Sequence, residues 1–151
     1  MYKVREIQSS DYIDCFNNQH IAHGLHQRGL WTQDIWGFVA RWFRPSYVTE
    51  IEGQVIAHNV GCYRPITLEE SEEFAGQVSW NIMDNCVHPA HRKNGVSDMM
   101  MELVGKKEKL MSAYTDVNNE PAYHILTTNG FVHVNTIENQ NFYINNNVTI
   151  M

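Results

Sequence analysis

The sequence predicts one α/β domain spanning residues 1–151, and three stretches predict it. Ser46 to Glu52 and Gln54 to Tyr63 carry the β-branched Val48, Ile51, Val55, Ile56 and Val60 on either side of Glu52-Gly53, the pattern of a hairpin. Val78, Trp80, Ile82 and Val87 mark a buried strand that Pro89 closes, because proline has no N–H to give to a sheet ladder. Beyond it, Val96, Met99, Met100, Leu103 and Val104 recur at the spacing of one helical stripe, expected to run to about Leu110.

In chain order, Tyr2 to Ile7 reads as a first strand, and Ser9-Ser10-Asp11 as the N-cap of a helix through about His23. Thr32 caps a second helix through about Phe43, which ends before Arg44-Pro45 because the residue preceding proline avoids the helical region. Trp31, Trp36, Phe38, Trp42 and Phe43 cannot share one stripe, so part of that helix faces a neighbour or a cleft, and its exposed part is a candidate homodimer contact. After the hairpin, Thr67 caps the acidic Leu68-Glu69-Glu70-Ser71-Glu72-Glu73, read as a solvated face or as an electrostatic funnel for a cationic amine. Met111 to Val117 reads as a further strand. Asn119 caps a helix with Pro121 in its first turn and Asn129-Gly130 at its end. Phe131 to Val134 and Phe142 to Ile144 close the sheet as a hairpin around residues 138–141, and Asn145-Asn146-Asn147 reads as a turn or a fraying end.

Composition sets the excluded classes. A formal charge of -6 with scattered Lys and Arg argues against a nucleic-acid surface. No apolar run approaches the ~20 residues that span a bilayer, and the start has no signal-peptide core. Three cysteines without a C-x-x-C pair point to a reducing, cytoplasmic setting. Cys86 is read as a small buried hydrophobe rather than a nucleophile. His20, His23 and His26, and His88 and His91, have spacings that can feed a metal, but Gly24 interrupts the first set and no acid or thiol completes a tetrad, so no metal is expected.

The chemistry concentrates between the buried strand and its helix, in His88-Pro89-Ala90-His91-Arg92-Lys93-Asn94-Gly95-Val96-Ser97. A basic, Gly-containing turn that opens a helix aims backbone N–H groups and the positive dipole end at one point, which suits a phosphate or pyrophosphate. It lacks the Gly-Lys-Ser/Thr of a nucleotide-triphosphate loop and the three glycines of a dinucleotide fingerprint.

Val87-x-Pro89 followed by Arg92-x-x-Gly95-x-Ser97 resembles motif A of the GNAT superfamily of N-acetyltransferases, with Ser97 where Gly or Ala is usual. Asn119-x-x-Ala122, closed by Gly130-Phe131, resembles motif B, and Val4-Arg5-Glu6 with Asp11 resembles the family's start, so the resemblance covers essentially the whole chain. It implies a mixed, twisted six- to seven-stranded sheet flanked by about four helices. It implies acetyl-CoA as co-substrate, held by Cys86, Val87, Arg92, Lys93, Asn94, Gly95, Val96, Ser97 and Asn119, with direct transfer of the acetyl group to a primary amine. A backbone N–H near Cys86 or Val87 would polarise the carbonyl, and the aromatic second helix would wall the acceptor pocket. The acceptor itself is unnamed: a small cationic amine or a protein lysine.

Two positions depart from the family's pattern. Leu126 stands where many members have a proton-donating tyrosine, with Tyr123 one turn earlier as the substitute. Asn81 stands where some carry a glutamate base, which leaves Asp84, Glu50 or a bound water, Asp84 first, although strand parity points it to the opposite face and it is equally a partner for Arg92. Three readings follow: an active N-acetyltransferase, a catalytically impaired relative that binds CoA or a protein partner, and a module for another phosphorylated ligand.

Overall fold

The computed structural model describes residues 1–23, 43 and 45–147. The expected aromatic helix with Trp31, Trp36, Phe38 and Trp42 lies outside them, as does His26. Among the described residues, seven strands form one mixed sheet in the order β1-β2-β3-β4-β5-β7-β6. They are β1 (Lys3–Glu6), β2 (Tyr47–Ile51), β3 (Gln54–Pro65), β4 (Val78–Val87), β5 (Leu110–Asp116), β6 (Val132–Ile137) and β7 (Gln140–Asn146). Three α-helices stand among the described residues: α1 (Tyr12–His23), α2 (Val96–Lys107) and α3 (Glu120–Thr128). Strands β4 and β5 pair in parallel, whereas β1–β2, β2–β3, β5–β7 and β6–β7 are antiparallel.

The chain forms two compact units. The first comprises Met1–Cys62 and Asp84–Met100, and the second Tyr63–Met83 with the stretch from Met101. In the first unit, Tyr12, Cys15 and Phe16 of α1 pack with Ile7, Val48, Val55 and Val60, while Val96 and Met100 of α2 pack with Ile56 and Ala57. Helical spacing on α1 and α2 thus supplies two apolar clusters, one from each helix. The Val-Arg-Glu start has a structural use. The Arg5 guanidinium forks onto Asp11 at 2.8 and 2.9 Å and reaches Glu50 at 3.0 Å, tying β1 to β2 and to the turn that opens α1. In the second unit Ile66, Phe142 and Ile144 form the core with Phe74, Leu110 and Tyr114.

Three local expectations need correction. Helix α2 stops at Lys107 instead of reaching Leu110, which already belongs to β5; Glu108 is buried and accepts a 2.7 Å bond from the Tyr63 hydroxyl. The buried side of α2 is rotated from the expected stripe: Met101 is 5% exposed whereas Leu103 is 38% exposed. The terminal asparagines neither turn nor fray. Asn145 donates to the Asn129 carbonyl at 3.0 Å and Asn147 to the Glu108 carbonyl at 3.2 Å, so each carboxamide satisfies a carbonyl at a helix end.

Candidate functional site

Strand β4 delivers the chain to the basic loop. Pro89–His91 forms a single 3-10 turn, started by His88, whose Nδ1 accepts the Ala90 N–H at 3.0 Å. Arg92 is then extended, and Lys93 and Gly95 take left-handed conformations with φ of 67° and 73°. The Gly95 carbonyl accepts the Met99 N–H at 3.0 Å, the first helical bond of α2. Val96 is buried and anchors the helix start, while Arg92, Lys93, Asn94 and Gly95 are exposed. A Cβ placed on Gly95 would meet nothing within 4 Å, so open space lies in front of the backbone at the point where the helix's first N–H groups emerge. Two cations, a helix N-terminus and an open backbone fit a phosphate ester. Ser97 does not obstruct this: its Oγ turns to β4 and accepts the Asn85 carboxamide at 3.2 Å.

The loop also has a partner that sequence reasoning missed. The Tyr2 hydroxyl lies 3.1 Å from His91 Nδ1 and accepts the Asn94 carboxamide N–H at 3.2 Å. A tyrosine 89 residues from the histidine it meets leaves no local sequence signal.

Asp84 is buried, and its Oδ2 lies 3.1 Å from His58 Nε2; Gln19 Oε1 lies 3.2 Å from the same nitrogen. A carboxylate oxygen facing one ring nitrogen requires that nitrogen to carry the proton. Asp84 is therefore engaged by His58 of β3, while Arg92 stays at the surface. Cys86, two residues on and on the same strand face, directs its Sγ at the Asn18 carbonyl, 3.6 Å away. Glu50, the other carboxylate considered, is committed to Arg5. Strand β4 pairs with β5 from Trp80↔Met111 to Ile82↔Ala113 and runs on to Val87 beyond that ladder.

The remaining predicted residues belong to the second unit and are described there. Asn119 caps α3, its Oδ1 accepting the Ala122 N–H at 3.2 Å. Tyr123 is 46% exposed and Leu126 5% exposed, so the tyrosine and not the leucine is available to solvent. Asn81 is buried and donates to Ser112 Oγ at 2.9 Å, a structural bond within the β4–β5 ladder. The acidic stretch divides. Glu70 is buried under the Arg64 fork at 3.0 and 2.7 Å and also accepts the Thr67 N–H and the Tyr114 hydroxyl. Burial alone would raise the Glu70 carboxyl, but Arg64, Thr67 and Tyr114 outweigh it and hold it at about 2. Glu69, Glu72 and Glu73 are exposed and, with Leu68 and Val134, border a cleft of about 510 Å³.

This backbone aligns with solved acetyltransferases along nearly its whole length. A GNAT-family acetyltransferase from Streptococcus agalactiae matches at TM-score 0.78 and 11% identity, covering 98% of this chain and 96% of its own. The fold is that of the GNAT acetyltransferases. A second GNAT-family acetyltransferase, from Bacillus cereus, matches at TM-score 0.74 and 12% identity over 99% of each chain. The PaiA N-acetyltransferase from Thermoplasma acidophilum, solved in complex with coenzyme A, matches at TM-score 0.66 and 9% identity over 97% of this chain and 99% of its own. By sequence, no protein-family model and no curated protein matches the chain. The GNAT likeness is thus one of backbone, and the seven-stranded mixed sheet is its content.

Proposed function

We propose that this chain is an acyl-CoA-dependent N-acetyltransferase that moves an acetyl group from acetyl-CoA directly to a primary amine. The observation that carries this reading is the open, left-handed Gly95 between two exposed cations and the start of α2, in a chain with the GNAT fold. The coenzyme A bound to the Thermoplasma relative supports the choice of phosphorylated ligand. Bound acetyl-CoA would supply the activated thioester. Arg92 and Lys93, with the N–H groups of Asn94 to Ser97, would hold its pyrophosphate, and Cys86 and Val87 would present backbone to the acyl arm.

Direct transfer forms a C–N bond and breaks a C–S bond, so the chain must take one proton from the amine and return one to the sulfur. Asp84, oriented by His58, would accept the proton in the first unit, and the exposed Tyr123 hydroxyl of the second would be the donor. The exposed Glu69, Glu72 and Glu73 favour a cationic acceptor, either a small amine or a protein lysine. The test is release of free thiol from acetyl-CoA with polyamines, lysine peptides and neutral amines. Turnover with the cationic set supports the assignment, and preference for neutral amines removes the acidic cleft from it.

A second reading is a catalytically impaired GNAT-fold protein that binds CoA, or a protein partner, without turnover. The buried Leu126 and the structurally committed Asn81 favour it, since neither family position here can move a proton. Stoichiometric CoA binding with no thiol release for any acceptor would identify it.

A further inference from the structure

The basic loop is held in a conformation that its own sequence disfavours. Lys93 is left-handed at φ 67°, a region L side chains with a Cβ avoid, and Asn94 separates it from the left-handed Gly95. Something must hold this backbone for the N–H groups to converge before a ligand arrives. One hydroxyl touches both sides of Lys93: Tyr2 lies 3.1 Å from His91 Nδ1 and 3.2 Å from Asn94 Nδ2. The Asn94 amide nitrogen donates to the Tyr2 oxygen, and the same hydroxyl meets His91 Nδ1, so one group links Asn94 to His91. The Tyr2 ring itself packs on the cluster of Ile56, Ala57, Val96 and Met100, and meets the His91 ring edge-on at 5.8 Å. The hydroxyl is thereby mounted on the core that also fixes the start of α2.

We infer that Tyr2 is a positioning residue for the phosphate-binding loop: its hydroxyl pre-shapes residues 91–94 for the pyrophosphate, an inference that rests on the acyl-CoA reading. Its contribution is preorganisation, so its loss shows in ligand affinity and not in the chemical step. Tyr2→Phe keeps the packed ring and removes only the link.

The experiment titrates acetyl-CoA and S-acetylpantetheine, which has the thioester arm but no pyrophosphate, into the wild-type chain, Tyr2→Phe, Asn94→Ala and the double variant, with melting curves for each. Tyr2→Phe is expected to melt near wild type and to bind acetyl-CoA about three- to tenfold more weakly, the scale of one hydrogen bond. Its affinity for S-acetylpantetheine should be unchanged. Asn94→Ala should weaken acetyl-CoA similarly, and the double variant no further than the worse single one, because both break one chain. In turnover, KM for acetyl-CoA should rise with kcat unchanged. Wild-type affinity in Tyr2→Phe, an equal loss for both ligands, or additive losses in the double variant would overturn the inference while leaving the acyl-CoA reading intact. If the wild-type chain binds no acetyl-CoA, that reading fails first and takes this inference with it.

Discussion

Asp84 meets the His58 imidazole from a buried position, so its two proposed uses, as acceptor of a proton and as partner of a buried ring, have different signatures. Asp84→Asn keeps an oxygen for His58 Nε2 but cannot take a proton. It should melt close to wild type and lose about a hundredfold in kcat. Unchanged turnover would move the base elsewhere. Asp84→Ala removes the acceptor altogether and should cost about 1–3 kcal/mol in urea unfolding. Glu70 carries a pH dependence of known sign. Its folded value of about 2 lies below its ordinary 4.5, so its contribution to stability is full above 4.5 and is lost as pH falls toward about 2. Tyr114, raised to about 12 by burial first and then by Glu70, contributes below its ordinary 10 and loses that contribution as pH rises through about 12. Glu70→Gln should flatten the acid limb between pH 4.5 and 2 in urea titrations; an unaltered limb would assign acid sensitivity to other carboxylates. Residue types announced Asp84 as a candidate, but His58 and Tyr2 lie in strand-like or terminal stretches with no spacing pattern. Only tertiary structure brings them to the groups they serve.

At the scale of elements, the two resolved hairpin turns differ in how openly they declare themselves. Glu52 and Gly53 are both left-handed at 52° and 79°, as are Glu138 and Asn139 at 50° and 65°. Gly53 made the first turn legible in the sequence. The second, without glycine, was placed only within residues 138–141, and the β6 and β7 strands on either side run longer than their apolar residues suggest. Glutamate gains nothing from a left-handed backbone, so Glu52→Asn should raise stability by about 0.5 kcal/mol, read as a higher melting temperature. A lower one would show that the Glu52 side chain holds a contact worth more than the relief. In α2 the apolar spacing announced a helix but misplaced part of its buried side, since Met101 is buried and Leu103 is not. Met100 is fully buried, and Met100→Ala should cost about 2–5 kcal/mol in urea unfolding. A cost under about 1 kcal/mol would mean the site collapses around the smaller side chain.

For the molecule as a whole, the order of elements was legible where a boundary carries a local chemical reason: Pro89 after β4, Asn119 before α3, Gly130 after it. The strand order was not. That β7 lies between β5 and β6 follows from its seven-residue pairing with β5, and such long-range pairings leave no mark on local composition. The N-terminal Val-Arg-Glu and Asp11 pattern turned out to be an ion-pair clasp, and the terminal asparagines helix-end caps, both invisible to periodicity. What the whole chain is proposed to do depends on one loop, and isothermal titration of acetyl-CoA into the wild-type chain and Gly95→Asp tests it most directly. The substitution places a negative side chain in the open space at Gly95, on backbone that a Cβ strains. Acetyl-CoA is expected to bind the wild type and not the folded variant. Equal binding by both would contradict a site at Arg92 to Ser97, and no binding by either would contradict the acyl-CoA assignment itself.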